Sequence, residues 1–136
     1  MAGLDTEESN ATLLGVDESR CKDAYVSVFI PSLTREGRPV EAAYWRDEAV
    51  KVMSCLFGGA TSVSGFGGWL DAERGGKVKQ EAIWIVFSFI NDAEWNRENV
   101  LQLREFLYRM GRDAQQGAVG LHVKGEYLEI PSRSYE

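Results

Sequence analysis

Leu56–Phe89 reads LFGGATSVSGFGGWLDAERGGKVKQEAIWIVFSF, and the reading given to its glycines decides the fold. Seven of the chain's 14 glycines lie between Gly58 and Gly76, and a strongly apolar run follows at once. A dinucleotide fingerprint needs GxGxxG between a strand and a helix, and a P-loop needs GxxxxGK plus Ser or Thr opening a helix. Here Gly65-Phe66-Gly67-Gly68 follow a helical pattern and precede strands, so neither phosphate cradle has its helix N-terminus. The glycines therefore read as conformational. Gly58-Gly59 stop a helix, Gly65, Gly67 and Gly68 interrupt a strand over residues 61–71, and Arg74-Gly75-Gly76-Lys77 turns the chain into the next strand. At least one of Gly65, Gly67 and Gly68 is expected to hold a positive φ or to touch another backbone closely. The competing reading of the same stretch is a shallow ligand pocket lined by Phe66 and Trp69.

Working outward, Ala82–Ile90 (AIWIVFSFI) is apolar on both faces, as suits a central strand covered on each side. Tyr25–Ile30 (YVSVFI) is a second strand, rich in β-branched and aromatic residues and stopped by Pro31. Between it and the glycines, Ala42, Trp45, Ala49, Val52, Met53 and Leu56 recur at helical spacing. After Ile90, Asn91 or Asp92 suits an N-cap, Val100, Leu103, Leu107 and Met110 form a stripe, and Gly111 is expected to end that second helix. Val119–Val123 and Tyr127–Ile130 flank Lys124-Gly125-Glu126 as a terminal hairpin. The order β-α-β-β-α-β predicts an α+β, ferredoxin-like sandwich, an antiparallel sheet with both helices on one face. Residues 1–24 read as a flexible acidic lead-in, 25–131 as one domain and 132–136 as a tail.

The formal charge is −6, and the first 24 residues concentrate it, with six acids against Arg20 and Lys22. The remainder is close to neutral, which is not the footprint of a chain that grips phosphate backbones through clustered Lys and Arg. Nucleic acid is accordingly not an expected partner. No run reaches the roughly 18 to 20 apolar residues of a membrane span, and no signal-peptide pattern opens the chain, so a cytoplasmic location and no membrane partner are expected. Cys21, Cys55 and the single His122 lack metal-ligand spacing. No metal and no cofactor are expected.

Three motifs occur together: LFGGAT at Leu56–Thr61, GFGGW at Gly65–Trp69 followed by Glu81, and FLYRMGRDAQQGAVGLHVKGEY at Phe106–Tyr127. They resemble a group of small uncharacterised bacterial proteins with an FGG-T, G-x-W, then E pattern. The resemblance implies a domain from about Tyr25 to Ile130 and a prokaryotic origin. It carries no activity and no catalytic residue.

Glu81 is the first catalytic candidate. If the alternation Ile83, Ile85, Phe87, Phe89 extends back to it, a carboxylate lies along an apolar face, where it can serve as a general acid or base. The bland alternative is a strand-end carboxylate paired with Arg74, Lys77 or Lys79. His122 is a second candidate, beside no nucleophile motif. Arg109 and Arg112 complement a helix C-terminus, or bind a small anionic ligand beside Trp69. With both helices on one face, the other face of the sheet needs cover, and Trp84, Val86, Tyr25 and Phe29 are the interface candidates.

Two functions are compatible with these residues. One is a noncatalytic protein-interaction or regulatory module, a homodimer or a binder of another protein, in a bacterial toxin–antitoxin or phage-defence setting. The alternative is a small enzyme or binder acting on a nucleotide or RNA, with Glu81 as acid/base and Arg109, Arg112 or His122 on phosphate charge.

Overall fold

The computed structural model describes residues 8–72 and 75–136. After a short helix α1 (Asn10–Leu14), the elements are β1 (Ala24–Ile30), α2 (Ala42–Phe57), β2 (Thr61–Asp71), β3 (Lys77–Ile90), α3 (Arg97–Asp113), β4 (Ala118–Val123) and β5 (Glu126–Pro131). The five strands form one sheet in the order β2-β3-β1-β4-β5. Every pairing is antiparallel. The first four strands have the ferredoxin-like order, and β5 extends the sheet as the outer half of a hairpin. No helix among the described residues is long and apolar enough to cross a membrane.

Each boundary has a local cause. Gly58 caps α2 at φ 88°, its N–H bonded to the Ser54 carbonyl, a left-handed conformation that costs a residue with a Cβ more. Gly75 and Gly76, at φ 81° and 71°, turn β2 into β3. Gly65, Gly67 and Gly68 differ from expectation: none has a positive φ and none approaches another backbone closely. They are ordinary strand residues of β2, and Gly65 and Gly67 let the side chains of Ile83 and Ile85 lie close to the β2 backbone. The second helix also differs. Asn91 and Glu94 bond each other's backbone N–H in a separate turn, so the cap of α3 is Asn96, whose side chain accepts from the Asn99 N–H. Gly111 does not end α3; it lies within the last turn, against the ring of Tyr135.

The core lies between the sheet and the two long helices. Val26, Val28 and Ile30 of β1 and Val86 and Ile90 of β3 are fully buried there, facing Trp45, Ala49, Met53 and Phe57 of α2 and Leu103, Phe106, Leu107 and Met110 of α3. Register decides which face of β3 this is. Val28 pairs with Val86 and Ile30 with Trp84, so both β3 residues share the helix-covered face. The interface assignment of Trp84 and Val86 is therefore corrected: Val86 is buried in the core, and the Trp84 ring lies beneath the Arg46 guanidinium, 4.5 Å away. The open face instead carries Ile83, Ile85, Phe87 and Phe89, with Tyr25 and Phe29 from β1. A strand apolar on both sides gives no sign of which set faces inward, and one residue of register exchanges them.

A short 3-10 helix, Ser132–Ser134, follows β5 and brings Tyr135 against α3. Tyr135 is buried, and its hydroxyl donates to the Gln116 carbonyl at 2.7 Å.

Candidate functional site

The Pro31 end of the open sheet face is a cleft of about 1110 Å³. Its floor runs across the sheet from Gly67 and Trp69 on β2, through Glu81 and Ile83 on β3 and Phe29 on β1, to Gly120 on β4 and Tyr127 and Glu129 on β5. Leu33 to Glu36 form one wall. Alternation alone selects these floor residues, because positions two apart on a strand share a face.

Glu81 is the centre of the arrangement. It is 7% exposed, although it lines an open cleft. Its Oε2 accepts three hydrogen bonds: from the Ser32 N–H at 3.0 Å, the Ser32 hydroxyl at 3.0 Å and the Leu33 N–H at 2.8 Å. These fix the carboxylate against the loop that follows β1. No buried side-chain polar atom is left without a partner among the described residues, so Oε1, which makes no hydrogen bond there, keeps some exposure. No salt bridge joins Glu81 to a described residue; Arg74, one of the partners suggested by sequence, lies outside the described residues.

The loop is also held from its other side. Gln116 donates from Nε2 to the Leu33 carbonyl at 2.8 Å, the Arg35 N–H donates to the Gln115 carbonyl at 2.9 Å, and the Arg35 guanidinium pairs with Glu136. The cleft wall is thus braced by β3, by the α3–β4 connection and by the segment after β5.

The charge of the cleft favours a particular class of ligand. Glu36, Asp71, Glu81 and Glu129 face Arg35 and Lys79 among the described lining residues. Arg35 is paired with Glu136, and Glu36 with Arg38 at 3.7 Å. Aromatic rings accompany the carboxylates: Trp69 at one end, with Lys79 5.9 Å from its ring centre, and Phe29 and Tyr127, 6.1 Å apart, at the other. Carboxylates and ring faces together favour a cation. The Tyr127 phenol is raised above its ordinary pKa of 10.0, first by partial burial and then by the charge and hydrogen bonding of Glu129.

The other candidates named from sequence are dispersed. Phe66 sits on β2 with its side chain on the opposite face from Trp69 and is 70% exposed, so it does not line the cleft. Arg109 lies on the helix side, bonded to Glu48 at 3.3 Å and packed over Trp45. Arg112 donates to the Tyr135 carbonyl at 3.3 Å. Neither arginine is beside Trp69. His122 is on the open face but away from the cleft, with its ring 5.4 Å from that of Tyr25. Among the described residues, no group of three or more His, Cys, Asp or Glu side chains is arranged to hold a metal ion. Sequence reasoning missed Gly120, Tyr127, Glu129 and the 32–36 loop as site residues. The one signal was the Tyr127-x-Glu129 spacing, which puts both on one face of β5; nothing marked that face as the inner wall of a cleft.

No family model matches the chain, and no curated protein matches it. Solved structures do. A phage SAM lyase in complex with S-methyl-5'-thioadenosine superposes with a TM-score of 0.61 at 12% identity, over 83% of this chain and 92% of that one. A phage SAM lyase in its apo state superposes with a TM-score of 0.56 at 13% identity, over 85% and 94% respectively. At these identities the likeness is one of fold. It nevertheless corrects the expectation of a noncatalytic module: nearly the whole of an enzyme's chain shares this architecture, and the present chain has a largely buried carboxylate in a cleft. The alternative, a small enzyme or binder acting on a nucleotide or RNA, is the better supported reading.

Proposed function

We propose that the protein is a small enzyme acting on a cationic adenine nucleoside, with S-adenosylmethionine as the test substrate and the Glu81 cleft as its site. The observation that carries this reading is the carboxylate itself: Glu81 lines the cleft with Oε2 held by three donors, and Oε1 makes no hydrogen bond among the described residues. A fixed carboxylate beside aromatic surface binds and orients a cationic ligand. The fold likeness to a phage SAM lyase supports the choice of substrate. Glu81 and Glu129, beside the rings of Trp69, Phe29 and Tyr127, favour a cationic centre in the ligand.

In this reading Glu81 Oε1 lies near the sulfonium and Trp69 and Phe29 exclude water around it. Breaking the bond from sulfur to the amino-acid carbon returns its electron pair to sulfur, so the thioadenosine product leaves uncharged. The carbon that loses sulfur gains its new bond from an oxygen nucleophile, the substrate's own carboxylate or a water that releases its proton to solvent. Neither route requires an oxidant or a reductant.

The test is incubation with S-adenosylmethionine and mass-spectrometric detection of S-methyl-5'-thioadenosine. The expected result is turnover by the wild type and a KM about 10-fold or more higher in Glu81→Gln, which loses the charge that binds the cationic substrate. A wild-type protein that neither consumes nor binds S-adenosylmethionine at millimolar concentration would refute the proposal.

A further inference from the structure

We propose that the β4–β5 half of the cleft is a stacking subsite for a planar amino-bearing base, with Tyr127 as its platform, Glu129 as the acceptor for the exocyclic amino group, and Gly120 as the residue that keeps it open. The inference rests on the nucleoside reading above and extends it to residues outside the Glu81 centre.

Gly120 carries the geometric argument. A Cβ built on it would lie 2.8 Å from the Tyr127 hydroxyl and 3.3 Å from Cε2 of the same ring. The hydroxyl end of Tyr127 is therefore set down on the bare backbone of β4, a place that any other residue would deny it. The ring does not vanish into the core as a result: Tyr127 remains 58% exposed and lines the cleft. Phe29 flanks it, with ring centres 6.1 Å apart and planes inclined by 59°. An exposed ring held down at one end and supported at its flank is a low-entropy surface on which a base can stack.

Glu129 gives the subsite its discrimination. It shares the open face of β5 with Tyr127 and sits opposite Gly120 in the β4 register. A carboxylate only accepts hydrogen bonds when ionised, and it has room for several donors. It therefore favours a base with an exocyclic amino group, such as adenine, over one with a carbonyl at that position, such as hypoxanthine. The subsite lies across β1 from Glu81, so one elongated ligand can place its base here and its charged centre there.

The experiment measures binding of S-methyl-5'-thioadenosine, adenosine and inosine by calorimetry, with folding of each variant checked by circular dichroism. Tyr127→Ala is expected to bind S-methyl-5'-thioadenosine about 5- to 100-fold more weakly, the range for loss of one base–aromatic stack, while Tyr127→Phe stays within about twofold. Gly120→Ala is expected to lose about 10-fold by lifting the ring, and Tyr127→Phe in that background to recover part of the loss, since the hydroxyl makes the tightest contact. Adenosine should bind about 5- to 10-fold better than inosine, and Glu129→Ala should level the two. Wild-type binding that Tyr127→Ala leaves unchanged would overturn the subsite and leave the nucleoside reading standing. If the wild type binds neither S-adenosylmethionine nor any of the three probes, the nucleoside reading falls and takes the subsite with it.

Discussion

Replacing Gly111 with Ala should destabilise the protein, and removing Tyr135 should reverse the sign of that effect. Gly111 lies in the last turn of α3, where Ala is ordinarily favoured over Gly by about 1 kcal/mol. Here the new Cβ would meet three carbons of the Tyr135 ring at 2.6, 2.7 and 2.8 Å. Carbon atoms settle at about 3.5 to 4.0 Å, so the ring must withdraw by roughly 1 Å. That withdrawal strains the 2.7 Å bond from the Tyr135 hydroxyl to the Gln116 carbonyl. Overpacking of this kind costs about 1 to 3 kcal/mol and a weakened hydrogen bond about 1 more, against the 1 kcal/mol of helix propensity. The net expectation is a loss of about 1 to 3 kcal/mol, equivalent to a fall in Tm of some 3 to 10 °C for a domain of this size. Tyr135→Ala alone should cost about 3 to 5 kcal/mol, as for other large buried rings. In that background the clash is gone, and Gly111→Ala should stabilise by up to about 1 kcal/mol. Urea unfolding followed by circular dichroism measures all four corners of the cycle. Stabilisation by Gly111→Ala in the wild-type protein, or additivity of the two changes, would refute the packing of residues 132–136 against α3.

Glu81→Ala should cost about 2 to 4 kcal/mol in urea titrations by stripping Ser32 and Leu33 of their acceptor, and Glu81→Gln about 1 to 2, because an amide oxygen still accepts but without charge; an alanine variant as stable as the wild type would mean the loop is not anchored there. Val86→Glu should unfold the domain, since it buries an unpaired charge in the core, whereas Phe87→Glu on the open face should leave a folded protein by circular dichroism; the opposite pattern would mean the β1–β3 register is wrong by one residue. Both Tyr127 and Tyr135 have phenols raised above 10.0, Tyr135 chiefly by burial, with Arg35 opposing and Glu136 adding to the rise. The unfolded chain releases these protons first, so their contribution is complete below about pH 10 and is lost as the pH climbs through the folded values. A urea midpoint that rises between pH 9 and pH 11, or that falls no more steeply than in Tyr127→Phe/Tyr135→Phe, would contradict this.

The architecture was legible because its elements carry their own periods. Val26, Val28 and Ile30 alternate, Trp45, Ala49 and Met53 recur at helical spacing, and Gly58 and Gly75-Gly76 stand where the chain must turn. These are interactions between near neighbours in sequence, and the order of the elements then admits few topologies. The cleft was less legible. Glu81 was singled out because its alternation with Ile83 and Ile85 puts a carboxylate on an apolar face, and the structure keeps it there. Arg109 and Arg112, chosen for their closeness to each other in sequence, were drawn to Glu48 and to the Tyr135 carbonyl by chain segments far from them in sequence.

The sequence by itself therefore determined the strands, the helices and their order, and the presence of one carboxylate in an apolar row. Tertiary structure alone decided the face of β3 that enters the core, since Trp84 and Val86 are no more apolar than Ile83, Ile85 and Phe87, and only pairing with β1 chooses between the two sets. It alone joined Glu81 to Ser32 and Leu33 across 49 and 48 residues, and Gln116 to Leu33 across 83. It alone laid Tyr127 on Gly120 and Tyr135 on Gly111, where a missing side chain is an asset only because of a ring that arrives from elsewhere. A contact of that kind depends on where two distant segments meet in space, and the local preferences of neither segment record the meeting.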